Sequence, residues 1–167
     1  MMRAKLEEIL FRVAIDTLEK LAFMFAFPGE DKENQQKGSM AAGSVSFTGH
    51  FSGMLVMTIS IEVLQELSVN MLGLEDGEEI DGHIRSDALK ETINVICGNL
   101  LPAIAGDKVI FDIDVPRILP AGEKIRAGAG IPDGLAPSAR VNLKFDEGQC
   151  VFFLFLDGEM PKEVVSL

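Results

Sequence analysis

Asp87, Glu91, Asn94 and Gly98 recur at helical spacing within Arg85–Leu100, and no other stretch sets polar side chains out so regularly. At 100° per residue the four fall in a stripe roughly 60° wide. Leu89, Ile93, Ile96, Leu100 and Ile104 occupy the opposite side at the spacing of a core face. An acid, an amide and a glycine thus share one exposed line along a well-anchored helix. A glycine mid-helix costs about 1 kcal/mol against alanine, and asparagine is a mediocre helix former. Weak helix formers along one wet line suit a face that a partner reads; with no partner, the same line is an ordinary solvated face.

The elements that must position this line follow from periodicity and punctuation. A first helix is predicted over about residues 3–27, with Leu6, Ile9, Leu10, Val13, Leu18 and Leu21 inward and Pro28-Gly29 as its stop. Its last turns, Leu21 to Phe27, are apolar almost all round and should be deeply covered. Glu30–Lys37 reads as a mobile surface loop. Strands are predicted over Ala42–Thr48 and Gly53–Ile59, joined by Gly49-His50-Phe51-Ser52-Gly53 as a hairpin connection. A second helix over Ile61–Leu72 meets Gly73 as terminator. Leu74–Gly82 is an acidic linker into the organising helix, His83–Ala105, for which Asp81 and Ser86 compete as N-cap and in which Pro102 should kink or restart the helix.

The last third is β-rich: Lys108–Val115, a short strand near Lys124–Ala129, Ala139–Phe145, and Gln149–Asp157 after the turn Asp146-Glu147-Gly148. Val151 to Leu156 is apolar at every position, so both faces of that strand need cover, from helices on one side and from more helices or a second subunit on the other. The order α-β-β-α-α-β-β-β excludes regular βαβ alternation and indicates an α+β fold, an antiparallel β-sheet packed with long helices, in a single domain over residues 1–167. No internal repeat is legible.

The composition narrows the partners. A net charge of -11 with 15 lysines and arginines argues against nucleic acid or anionic lipid. No run is long enough to cross a membrane, and the mixed-charge start lacks the apolar core of a secretory signal, so a cytoplasmic protein is expected. Cys97 and Cys150 read as two reduced, buried thiols. His50 and His83 are far apart, no cysteine or carboxylate cluster has metal-ligand spacing, and no metal site is expected. Neither a nucleophile elbow nor a P-loop is present. Gly128-Ala129-Gly130 lacks the strand–helix context of a nucleotide fingerprint. Asp112 and Asp114 share one side of a strand, where a solvated face is a better reading than paired catalytic carboxylates. The eight methionines and eleven phenylalanines serve as core filling.

Asp87-x-x-x-Glu91-x-x-Asn94, followed by Gly98-Asn99 and by Pro116, resembles the signature of the CheX/CheC/FliY phosphatases, with CheX the nearest type. Gly49-x-x-x-Gly53, Met71-Leu72-Gly73 and Pro116-x-x-x-x-x-Gly122 extend the resemblance over roughly Ala41–Leu156. What it implies is a CheX/CheC-like fold and a phosphatase acting on a phosphorylated CheY-like receiver of a response regulator. Glu91 would pair with the receiver's invariant lysine and seat the helix. Asn94 would enter the receiver site and orient water in line with the aspartyl phosphate. Asp87, Gly98 and Pro116 would contact the partner, Gly98 by permitting close approach unless it serves helix packing within the fold. Mg²⁺ would sit on the partner receiver, and this chain would carry no cofactor of its own.

Phosphoryl transfer passes through a loose transition state, so positioning matters more than base strength, as with the water-orienting glutamine of GTPases. Two-site relatives carry a second acid–amide pair on their first helix. The comparable stretch here, Asp16 to Ala22, has alanine where the amide would stand, implying one site per chain. The Asn94-to-Pro116 interval is a single residue shorter than the family's. Relatives of the CheX type join sheet edges into homodimers, so a homodimer is expected. The alternative is a non-catalytic adaptor that binds receivers or flagellar-switch proteins through the same helix face. A small-molecule pocket between the helices is a third reading, supported only by the size of the apolar core.

Overall fold

The protein is described by a computed structural model covering residues 2–29, 39–75, 80–120, 125–131 and 134–157. The loop expected over Glu30–Lys37, the position of Gly122 and the middle of the acidic linker lie outside the described residues.

Helix α1 (Met2–Ala22) buries the stripe Leu6, Ile9, Leu10, Val13, Ala14 and Leu18, as its periodicity requires. It stops at Ala22, well before Pro28. Phe23 adopts a left-handed conformation, φ 52°, and its N–H donates to the Glu19 carbonyl at 2.9 Å. The chain then runs extended into the short edge strand β1 (Phe27–Pro28). Met24 points into the core, whereas Phe23, Phe25 and Phe27 are 76, 66 and 65 % exposed. The expected covered helical end is therefore overturned. A run of seven apolar residues satisfies a period of 2 as well as 3.6, and no glycine marks the change.

Strands β2 (Met40–Thr48) and β3 (Ser52–Ser60) form the first hairpin. Gly53 is required there, because a Cβ would collide with the carbonyl oxygen of Phe155 on the neighbouring strand. Helix α2 (Ile61–Leu72) ends at Gly73, φ 64°, whose N–H returns to Val69, as expected from sequence. Helix α3 (Gly82–Ala105) runs continuously through Pro102. The expected Lys108–Val115 strand shrinks to β4 (Asp112–Ile113), with β5 (Arg117–Leu119) after Pro116; both pair with β2. The expected strand near Lys124–Ala129 is instead a short helix, α4 (Ile125–Ala129). Strands β6 (Ala139–Phe145) and β7 (Gly148–Asp157) complete an antiparallel sheet of order β1-β6-β7-β3-β2-β4.

That order contains a duplication invisible to a linear reading. Helix α1, edge strand β1 and hairpin β2–β3 are repeated by α3, edge strands β4 and β5, and hairpin β6–β7. Each edge strand crosses to the other unit's hairpin, β1 onto β6 and β4/β5 onto β2. Helices α1 and α3 thus hold equivalent places over one sheet face. The main core lies between that face and the helices, where Phe47, Leu55, Met57, Phe152 and Leu154 meet Leu10, Leu18, Leu67, Ile93 and Ile96.

The sheet's other face carries a smaller core. Val56 and Phe155 pack with Ala42, Leu119, Ala129 and Ile131 there, and Phe153 joins its edge. The chain between β5 and β6 thus supplies the second cover that the all-apolar β7 demanded. Arg126 and Arg140 lie over the rings of Phe155 and Phe153 at 5.6 and 5.7 Å. A second subunit is not needed on this face.

Candidate active site

Helix α3 begins on a side-chain cap. The Asp81 carboxylate accepts from the N–H of Ile84 at 2.9 Å, which decides between the two N-cap candidates. Ala88, Leu89, Thr92, Ile93, Ile96, Cys97 and Leu100 are buried, so the helix is held along one whole side. Thr92 Oγ1 lies 2.7 Å from the Ala88 carbonyl and 3.4 Å from Met71 Sδ on α2. Leu89 packs over Gly43 of β2.

The opposite side presents the polar line. Asp87, Glu91, Asn94 and Gly98 are all exposed, along about 16 Å of helix. Asp87 has a long ion pair with Lys90, 4.0 Å, between well-exposed groups and of little energetic weight. Among the described residues, neither the Glu91 carboxylate nor the Asn94 amide has a hydrogen-bond or ion-pair partner, so both are available to an incoming group. A Cβ added at Gly98 would meet nothing within 4 Å. Packing within the fold therefore does not account for that glycine.

Asn99, beside Gly98, has another role. Its Nδ2 donates to Thr17 Oγ1 of α1 across 3.4 Å. A groove of about 220 Å³ runs between the two helices here, lined by Asp16, Thr17, Lys20, Leu21, Val95 and Asn99. Asn99 stands in the sequence motif with no task legible there; only the packing of α1 reveals the contact. On α1 itself, Glu19 is exposed but Ala22 is fully buried, and its carbonyl accepts from Asn70 Nδ2 at 2.9 Å. An acid–amide line does not form on that helix.

The remaining candidates separate. Pro116 is half-buried in the link between β4 and β5 at the sheet edge, next to β5, which lies against α3. Asp112 and Asp114 are exposed, and Asp114 Oδ1 accepts from the N–H of Val115. Among the described residues, no three histidine, cysteine, aspartate or glutamate side chains gather as a metal cluster would. Cys97 and Cys150 are free and buried; burial pushes the Cys97 thiol up to about 12 and raises Cys150 as well. The hollow between helices and sheet, bounded by Leu18, Met57, Leu67 and Phe145, admits no water molecule. No helix among the described residues is long and apolar enough to cross a membrane.

The site is an exposed acid–amide line on a helix braced against the antiparallel sheet of an α+β protein. The model of the family described as chemotaxis phosphatase CheX matches residues 41–129, more than half of the chain, and the chain belongs to that family. Comparison with curated proteins returned no sequence match. Among solved structures, CheX from Desulfovibrio desulfuricans superposes with a TM-score of 0.67 at 20% identity, over 91% of this chain and 99% of that one. CheX from Vibrio vulnificus gives 0.68 at 18%, over 93% and 98%. A CheX–CheY–BeF3–Mg²⁺ complex from Borrelia burgdorferi gives 0.67 at 16%, over 90% and 97%. These likenesses establish the fold, CheX/CheC-like, as the sequence motifs implied.

Proposed function

We propose that this protein hydrolyses the aspartyl phosphate of a CheY-like receiver, with Glu91 seating the helix and Asn94 orienting the attacking water. The observation that carries the reading is the pairing of two exposed polar groups, Glu91 and Asn94, without partners among the described residues, on a helix whose other side is fully anchored. A rigid mount matters because the reaction is accelerated mainly by positioning. Water would add to phosphorus as the bond to the receiver's aspartate oxygen breaks, releasing inorganic phosphate and the free carboxylate. Asn94 would accept a hydrogen bond from that water through its carbonyl oxygen and donate through its amide. Glu91 contributes charge, suited to a receiver lysine. Asp87 and the open ground above Gly98 would lie in the interface, with Pro116 at its edge. The Mg²⁺ and the phosphorylated aspartate belong to the receiver in this reading, where the ion neutralises charge on the phosphoryl oxygens. The solved Borrelia burgdorferi CheX complexed with CheY supports the choice of partner. Two buried free thiols and a receiver substrate suit the cytoplasm as the place of action.

The test follows the decay of a phosphorylated CheY-like receiver in excess Mg²⁺. Acceleration by the wild type and none by Asn94→Ala, with binding retained, is the expected result. Binding without acceleration by the wild type would make the protein an adaptor, and normal turnover by Asn94→Ala would remove the catalytic assignment.

We also propose a homodimer joined at the β4/β5 edge of the sheet. Ile110, Ile113, Val115 and Ile118 are exposed along this edge, and a short apolar edge strand is an open template for pairing. Light scattering at micromolar concentration tests it; a monomer there rejects it.

A further inference from the structure

Phe23 lies closer to the acid–amide line than its place in the chain suggests. Helices α1 and α3 pack antiparallel: Thr17 meets Asn99, and Lys20 and Leu21 share a groove with Val95. Helix α1 ends at Ala22, one residue past Leu21, so its end lies near the level of Asn94 and within a turn of Glu91. A second set of contacts gives the same placement. Asn70 holds the Ala22 carbonyl, and its neighbour Met71 touches Thr92, the residue after Glu91. Phe23 follows Ala22 and Leu72 follows Met71, and both are more than half exposed. Phe25 and Phe27 continue the exposed row away from α3, toward the β1 edge.

We propose that Phe23 and Leu72 form an apolar shoulder onto which the docked receiver packs, so that receiver recognition is shared between the charge of Glu91 and an aromatic anchor. The proposal rests on the receiver reading above and names a further part of the same interface. Area is the first reason. A specific protein–protein interface covers about 800 Å² on each partner. The exposed line of α3, about 16 Å long and narrower than a helix diameter, supplies only a fraction of that. A partner seated on Glu91 and Asn94 must therefore spread onto the flanking surface. On the α1 side, among the described residues, Phe23 and Leu72 are large exposed apolar groups near the level of Glu91. Chemistry is the second reason, since interface centres are enriched in aromatic side chains and charged groups alone give weak docking.

Phe23→Asn is a suitable variant because asparagine tolerates the left-handed backbone at this position better than phenylalanine. Leu72→Ser repeats the test on a different helix. Leu135→Ser removes an exposed apolar group in the link between α4 and β6, away from helix α3, and serves as control. Each is measured for thermal stability, for binding of a CheY receiver loaded with BeF3⁻ and Mg²⁺, and for steady-state hydrolysis of the phosphorylated receiver. The expected result is a KM raised about tenfold for Phe23→Asn, with kcat and melting temperature preserved. Leu72→Ser should move KM in the same direction, and Leu135→Ser should not. An unchanged KM in both shoulder variants of an active enzyme would overturn the shoulder and leave the receiver reading intact. Conversion of a dimer to monomer by Phe23→Asn at unchanged KM would assign the row to a second copy and likewise overturn it. A wild type that neither binds nor dephosphorylates the receiver would overturn both.

Discussion

The Asn99 amide donates to the Thr17 hydroxyl across 3.4 Å, fixing α3 against α1 just over one turn beyond Asn94. The contact ties together the two equivalent helices of a duplicated topology, of which only α3 carries an exposed acid–amide line. Removing it should loosen the mount without removing the chemistry. Asn99→Ala is expected to cost about 1 kcal/mol of stability. Hydrolysis of the phosphorylated receiver should fall by less than about tenfold. Chemical denaturation and single-turnover kinetics on one preparation check both parts.

Asn94 and Glu91 should fail in different ways. Asn94→Ala removes a group needed only when water attacks, so kcat should fall about 100-fold or more with receiver affinity retained. Glu91→Ala removes docking charge and should weaken receiver binding, an effect that grows smaller at high salt. Titrations of the receiver with each variant at two ionic strengths separate the roles.

Gly98 offers a test in which stability and function move in opposite directions. Nothing lies within 4 Å of a Cβ placed there. Gly98→Ala should therefore stabilise α3 by about 1 kcal/mol, or about 2–4 °C in melting temperature. Gly98→Leu should keep the fold but weaken receiver binding by standing in the path of the partner. Equal receiver affinity for glycine and leucine at this position would show that the interface does not reach Gly98.

The two thiols should be silent in the native state. Cys97, with its pKa pushed from 9.0 up to about 12 by burial, keeps its proton where an unfolded chain would lose it. Its contribution to stability is thus present below about pH 9 and lost as pH rises toward 12. A thiol reagent at pH 8 should label neither cysteine until denaturant is added, and rapid native labelling would contradict the burial of Cys97 and Cys150.

Glu66, an exposed residue of α2, is raised above its usual 4.5 by partial desolvation against its neighbours, then by the charges of Glu147 and Asp146 on the β6–β7 turn. A carboxylate raised in this way destabilises the fold as pH climbs through its folded value. Glu66→Gln should therefore melt higher than wild type at neutral pH, with the difference vanishing in acid and shrinking in salt. Melting curves across pH 3–8 check the sign.

Legibility followed the range of the interactions involved. The site helix was readable because its stripe repeats every three or four residues and Asp81 caps it from three residues before Ile84. Helix α2 was equally readable, since Gly73 terminates it through a contact within the same turn. Failures came where a local pattern admitted two answers. Leu21–Phe27 fits a helix or an extended strand, and pairing with β6 decided for the strand. Lys124–Ala129 looked extended, but the region had to cover Phe155, and Ile125–Ala129 does so as a helical turn.

The amino-acid sequence by itself determined that one helix turns Glu91 and Asn94 to water, because periodicity and capping act within a few residues. It also determined the family, since the motif lies along that one helix and its neighbouring hairpins. Only the tertiary structure decided that β7 is covered by the chain's own α4, that the edge strands cross between two equivalent units, and that Asn99 of α3 meets Thr17 of α1. Each of these depends on pairings between residues far apart in the chain, whose geometry is set by the sheet as a whole and leaves no local pattern to read.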